Sequence, residues 1–225
     1  NIEMFNRLQR SITGWPGGKP NADDTYRPER ALPEKKRVII FSPHPDDDVI
    51  SMGGTFDRLV SQGHEVHVAY QTSGNIAVSD QDAICFLEVA KDVLKVDDNT
   101  QLKELNEAFE NINPQQPAPR SICDLKGSIR KRESLGATRY IGIPDSQVHF
   151  MNLPFYETGL IDKNPVSQED VDLTVALIEK LKPHQIYAAG DLADPHGTHR
   201  VCLDLIFSAL AKLKSKPFMK DCWVW

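Results

Sequence analysis

Three consecutive stretches decide the fold: Arg37-Val-Ile-Ile-Phe-Ser42, then Pro43-His-Pro-Asp-Asp-Asp48, and after a helical segment Glu65-Val-His-Val-Ala-Tyr70. The first is a short, continuously apolar run, the pattern of a strand buried on both faces of a parallel sheet. Ile50, Phe56, Leu59 and Val60 recur at helix-compatible spacing across Val49 to Gln62, and Gly63 closes that element as a C-terminal cap. Glu65 to Tyr70 is a second strand. Strand, helix and strand within about 35 residues make a βαβ unit, whose crossover is right-handed and whose strands run parallel. The fold class is therefore α/β.

Downstream the alternation continues. Asp80 to Asn111 is mostly helical by composition, and Asn113 to Pro119, rich in proline, breaks it as a surface loop. Leu125 to Tyr140 predicts a helix, Gln147 to Leu153 a strand, Asp170 to Leu181 a helix, Gln185 to Ala189 a strand and Thr198 to Leu213 the last long helix. The run Asp221 to Trp225 again has strand character. A Rossmann-like, mostly parallel sheet with helices on both faces is the architecture these elements predict. Residues 1–36, punctuated by Gly14, Pro16, Gly17, Gly18, Pro20, Pro28 and Pro33, read as an irregular arm or linker before a domain at 37–225. The opening on Asn1 and the strand-like end are what a piece of a longer polypeptide would show.

The 225 residues fit one large domain, and 40% hydrophobic against 26% charged residues is a globular balance. No apolar run approaches the roughly 18 residues a membrane span needs. A net charge of −6 argues against a nucleic-acid partner held through its phosphates. Cys85, Cys123, Cys202 and Cys222 form no CxxC pair, and the first residues carry no secretory h-region, so a cytoplasmic location is expected.

The chemistry concentrates where strands end. His44, Asp46, Asp47 and Asp48 follow the first strand directly, and ligands bind at such positions in open α/β sheets. One carboxylate would suffice to cap the next helix. The other two would repel each other at close range unless a divalent cation stood between them. The turn Gly190 to His199 has the same placement after the strand Gln185 to Ala189. With a helix starting near Pro195, His196 and His199 would project from adjacent positions on its first turn. Two histidines and a carboxylate leave open positions on zinc or ferrous iron for water and substrate.

The string His44-Pro-Asp-Asp-Asp48, with Gly53-Gly-Thr55 and Gly63, resembles the signature of the LmbE/PIG-L zinc-dependent N-acetylglucosamine deacetylases. His196-Gly-Thr-His199-Arg200 resembles their second metal motif. Arg130 and Glu133 look like the family's R-x-x-E helix, and Thr72-Ser-Gly74 sits where the family has a glycine-containing loop. The resemblance spans roughly Arg37 to Leu213. It implies that His44, Asp47 and His199 hold the metal, zinc or another divalent ion such as ferrous iron. It further implies that Asp46 is the general base and that His196 stabilises the oxyanion or protonates the amine. Arg130, Arg200, Asp48 and Thr198 are the positions it offers for substrate contact.

Two departures stand out. Asp48 occupies a place where the family commonly has Glu, and Thr198 replaces the Asp of the usual H-P-D-H motif, depriving His196 of a charged partner. Asn152 to Gly159 and Ile12 to Gly18 resemble the deacetylase-type region found C-terminal to a glucosamine-6-phosphate deaminase-like domain in some bacteria. The expectation is a metal-dependent N-deacetylase acting on a small amino sugar, able to form a homo-oligomer and attached to a sugar-phosphate enzyme domain. Its rivals are a catalytically idle sugar-binding or regulatory domain and a metal-dependent phosphoesterase.

Overall fold

The computed structural model describes residues 2–4, 8, 35–94, 100–113, 115–191 and 193–225. Of the arm expected at 1–36, residues 2–4 and 8 have helical geometry, residues 35 and 36 lead into the first strand, and the remainder lies outside the described residues.

Among the described residues five strands form one sheet: β1 (Arg37–Ser42), β2 (Glu65–Tyr70), β3 (Val148–Phe150), β4 (Gln185–Ala188) and β5 (Trp223–Val224). Their order is β3-β2-β1-β4-β5, and every neighbouring pair is parallel. Because the chain runs outward from β1 through β2 to β3, then returns to place β4 on the other flank of β1, the winding reverses between β1 and β4. That reversal opens a crevice beyond the C-terminal ends of these two strands.

Among the described residues from Asp47 onward there are six helices: α1 (Asp47–Ser61), α2 (Asp80–Leu94), α3 (Thr100–Glu110), α4 (Arg120–Ile141), α5 (Gln168–Leu181) and α6 (Thr198–Leu213), of which α2 and α3 pack against α4. On one face Phe56 and Leu59 of α1, with Ile141 from the end of α4, pack on Val38, Ile40, Val66 and Val68. On the other, Ile178 and Leu181 of α5 and Ile206, Ala209 and Leu213 of α6 pack on Ile39, Phe41 and Ile186. Alternate residues of β1 thus feed opposite cores, which is why its sequence is apolar without interruption.

The elements differ from expectation in local ways. The helical stretch 80–111 divides into α2 and α3. α4 starts at Arg120, right after Pro119, and ends on Gly142. α5 starts earlier than Asp170 because Ser167 and Asp170 form a reciprocal capping box. β3 is short, yet Met151 and Leu153 still donate backbone N–H bonds to Tyr70 and Gln71, so the extended chain continues alongside β2. α1 is interrupted at Met52, whose φ of −145° precedes Gly53-Gly54. The break makes the turn carrying Asp47 and Asp48 separate from the part of α1 that packs on the core.

Candidate metal centre

The crevice is lined by the loop after β1 and the loop after β4. Each of the three consecutive aspartates finds a different partner. Asp46 holds the N-cap position of α1 but makes no side-chain cap bond, so the capping role is not used there. Its Oδ2 instead accepts a bond from the Arg130 guanidinium on α4 at 2.7 Å. Asp47 turns back, and its Oδ2 accepts the backbone N–H of His44 at 2.8 Å. Asp48 is buried and accepts the Tyr70 hydroxyl at 2.9 Å, with Ser42 Oγ at 3.3 Å. Burial pushes the Asp48 carboxyl above the ordinary range, and the bonds from Tyr70 and Ser42 offset part of that rise.

From the other side, α6 begins at Thr198, not near Pro195, because Gly197 adopts a left-handed conformation (φ 71°) and donates its N–H to the Asp194 carbonyl. His196 therefore precedes the helix and His199 lies on its first turn. Asp194 ties both in place, its Oδ1 accepting the His196 N–H at 3.0 Å and its Oδ2 the His199 N–H at 2.9 Å. Burial acts to raise the Asp194 carboxyl, but these two backbone donors outweigh it and hold the group below its ordinary value.

Three side-chain atoms meet between the loops. His44 Nδ1 lies 3.2 Å from Asp47 Oδ2 and 3.2 Å from His199 Nε2, and His199 Nε2 lies 3.3 Å from Asp47 Oδ2. Two imidazole nitrogens and a carboxylate oxygen in a near-equilateral triangle suit a small cation. Bonds of about 2.0–2.1 Å at tetrahedral angles place neighbouring ligand atoms about 3.3–3.4 Å apart. The donor set and its spacing therefore fit zinc, with one face of the triangle left for water and substrate. Burial works to raise the Asp47 carboxyl, yet its bonds to the His44 side chain and backbone and the proximity of His199 hold it below the usual carboxylate range.

The open face looks into a cavity of about 540 Å³. Asp46, Arg130, His196 and Thr198 share it with the triangle. The rest of its wall was not assigned to the site from the sequence: Tyr156, whose ring meets His44 edge-on with centroids 5.8 Å apart, together with Ile50, Ile76, Ala77, Ile161, Lys163 and Asp194. Tyr156 lies within the Asn152 to Gly159 stretch that carried the resemblance, but nothing local in the sequence brings that loop to His44. Of the four positions offered for substrate contact, Arg130 and Thr198 line the cavity. Asp48 is committed to Tyr70 and Ser42 and stands behind the triangle, and Arg200 points to solvent on α6, outside the cavity wall. Among the described residues the His196 ring has no hydrogen-bond partner, as Thr198 in place of a carboxylate implies. His64, His67, His149 and His184 stand apart from the site and bond within the sheet region, His64 and His184 through their Nδ1 atoms to the N–H groups of Lys36 and Arg37.

Fold and site together define a parallel α/β domain with a two-histidine, one-carboxylate centre at its switch point. The chain belongs to the PIG-L family: residues 39–210 match the GlcNAc-PI de-N-acetylase family. It is 54% identical over its whole length to a glucosamine-6-phosphate deaminase-like protein of Bacteroides thetaiotaomicron, of which it covers 35%. Over 72% of its length it is 29% identical to a 1D-myo-inositol 2-acetamido-2-deoxy-alpha-D-glucopyranoside deacetylase of Rhodococcus erythropolis, covering 47% of that protein. The chain thus spans less than half the length of either relative. Among solved structures, N,N'-diacetylchitobiose deacetylase from Pyrococcus horikoshii matches 97% of the chain and 61% of its own at a TM-score of 0.53 and 22% identity. GalB, the 4-carboxy-2-hydroxymuconate hydratase of Pseudomonas putida, matches 82% of the chain and 59% of its own at 0.52 and 14% identity. The last two share the fold, and their different activities show that chemistry on this scaffold is set by the site.

Proposed function

We propose that the chain hydrolyses the N-acyl group of an N-acetylglucosamine-type sugar to a free amine and acetate, at a centre where His44, Asp47 and His199 hold zinc. The observation that carries this reading is the triangle of ligand atoms with the Asp46 carboxylate and the His196 ring on the same cavity. Family membership supports the amide-hydrolase class, and the deacetylases among the relatives support an acetylated amino sugar.

When bound, the ion supplies a Lewis acid for the amide carbonyl and makes water acidic enough to be deprotonated near neutrality. The chain's own groups do the rest. Arg130 fixes Asp46 Oδ2 and leaves Oδ1 to take the proton of the attacking water. The water oxygen adds to the carbonyl carbon, and protonated His196 donates a hydrogen bond to the developing oxyanion. The C–N bond then breaks as the nitrogen receives a proton from this acid–base pair, releasing the amine and acetate. Tyr156, edge-on to His44, and the isoleucines give the cavity an apolar wall beside the triangle.

The name and length of the Bacteroides relative support an attached sugar-phosphate enzyme domain in the full polypeptide. No helix among the described residues is long and apolar enough to cross a membrane. The four cysteines, all free, support a reducing, cytoplasmic setting.

The test is elemental analysis of protein purified without added metal, then a screen of N-acetylated amino sugars, with and without a 6-phosphate, for amine and acetate. One equivalent of zinc and release of acetate without inorganic phosphate are expected. A metal-loaded protein that frees phosphate from the phosphorylated substrates and no acetate from any would overturn the reading in favour of a phosphoesterase.

A further inference from the structure

His199 has two ring nitrogens, and the triangle uses only Nε2. To offer a lone pair there, the neutral ring must carry its proton on Nδ1. That Nδ1 is buried and has no hydrogen-bond partner among the described residues. An unpaired buried donor on the very ring that must be held still is costly, and metal-bound histidines are characteristically steadied by an acceptor on their second nitrogen. Facing it is Asp191, at the start of the loop from β4, whose Oδ2 lies 3.9 Å from His199 Nδ1.

The loop aims that oxygen. Asp191 Oδ1 accepts the N–H of Ala193 at 3.0 Å, which turns the carboxylate so that Oδ2 faces the imidazole. The side chain is 55% exposed, so it can advance without disturbing packed neighbours. Asp194, from the same loop, already anchors the His199 main chain at 2.9 Å.

We infer that Asp191 is the positioning carboxylate of the centre: it accepts the Nδ1–H of His199, fixes the tautomer that presents Nε2, and raises the ligand's basicity. The gap of 3.9 Å closes by under 1 Å to hydrogen-bond length once Nε2 is engaged. This rests on the metal-centre reading, and it adds a residue that neither the motif comparison nor the cavity wall singled out.

The experiment titrates zinc into chelator-stripped wild-type, Asp191→Ala, Asp191→Asn and Asp191→Glu proteins in competition with a chromophoric chelator. It also records the visible spectrum of each cobalt-loaded protein and the thermal unfolding of each metal-free one. Asp191→Ala should weaken zinc binding about 10- to 100-fold and shift the cobalt bands, with an unchanged unfolding midpoint for the metal-free protein. Asp191→Glu should recover most of the affinity, and Asp191→Asn less, since the amide keeps an acceptor but loses the charge. Wild-type affinity and spectrum in Asp191→Ala would overturn the inference and leave the centre standing. So would an affinity loss matched by a fall in the stability of the metal-free protein. A wild-type protein that takes up no ion would overturn both.

Discussion

Gly74 offers the sharpest test of how the fold holds the centre. It sits in the loop after β2 with φ at 64°, a conformation that costs an L-residue about 1–2 kcal/mol. A Cβ placed there would lie 2.7 Å from Cδ of Pro45, 3.4 Å from its Cγ and 3.5 Å from Nε of Arg130. Pro45 stands between His44 and Asp46, and its Cδ is bonded to its own backbone nitrogen, so no rotamer can relieve the clash. Reaching ordinary contact near 3.4 Å requires the loop to retreat by about 0.7 Å. Overpacking of this kind typically costs about 1–3 kcal/mol, which brings the total for Gly74→Ala to about 2–5 kcal/mol. Ligand positions are tolerated only within about 0.2 Å, and a misplacement near 1 Å costs on the order of 100-fold in rate. Gly74→Ala should therefore lower stability in urea unfolding, weaken zinc in chelator competition and slow deacetylation about 30- to 100-fold. Gly54→Ala, on an exposed stretch of α1 with nothing within 4 Å of the added carbon, serves as the control and should gain about 0.5–1 kcal/mol with turnover intact. Should Gly74→Ala unfold within about 0.5 kcal/mol of the wild type and turn over normally, the coupling of this loop to the metal ligands is wrong.

Asp46→Asn should reduce acetate release about 10²- to 10⁴-fold with zinc content unchanged by elemental analysis; undiminished turnover would remove it as the base. His199→Ala should lose zinc, and adding a chelator should lower the thermal midpoint of the wild type but not of this variant, since binding stabilises only the folded state that has the site. His64 is 8% exposed, and burial, aided by the Lys36 charge, lowers its pKa from 6.5 to about 4. Its neutral form belongs to the folded state, so its contribution is complete above pH 6.5 and is lost as pH falls toward 4, by roughly 2 kcal/mol at pH 5. His64→Asn, which can still accept the Lys36 N–H, should flatten that slope in urea unfolding measured from pH 8 to pH 5, and an unchanged slope would refute the assignment.

What could be read in advance followed from local rules. The uninterrupted apolar run of β1 reported a strand buried on both sides, and the β1-α1-β2 unit reported parallel pairing. Gly63 marked the end of α1 within a turn, whereas the caps at Ser167 and Gly142 were read only from the structure. The strands and the end of α1 are legible because burial periodicity and backbone conformation depend on residues close together in the chain. The His44 and His199 motifs could be proposed as partners because both follow strands of one parallel sheet, where strand ends converge.

The rest required three dimensions. The motif assigns roles to three adjacent aspartates but not what holds them: Arg130 of α4 takes Asp46, the His44 backbone takes Asp47, and Tyr70 with Ser42 takes Asp48. Arg200 neighbours His199 in sequence yet is exposed and outside the cavity wall, while Tyr156 is remote in sequence and meets the His44 ring edge-on. The sequence by itself determined the α/β class, the positions of the strands and which short segments carry the candidate metal-binding residues, because these depend on composition and spacing along the chain. Only the tertiary structure decided what holds each carboxylate, which ring nitrogen lacks a partner among the described residues and which distant loop lines the cavity, because each is set by packing between elements that no local pattern encodes.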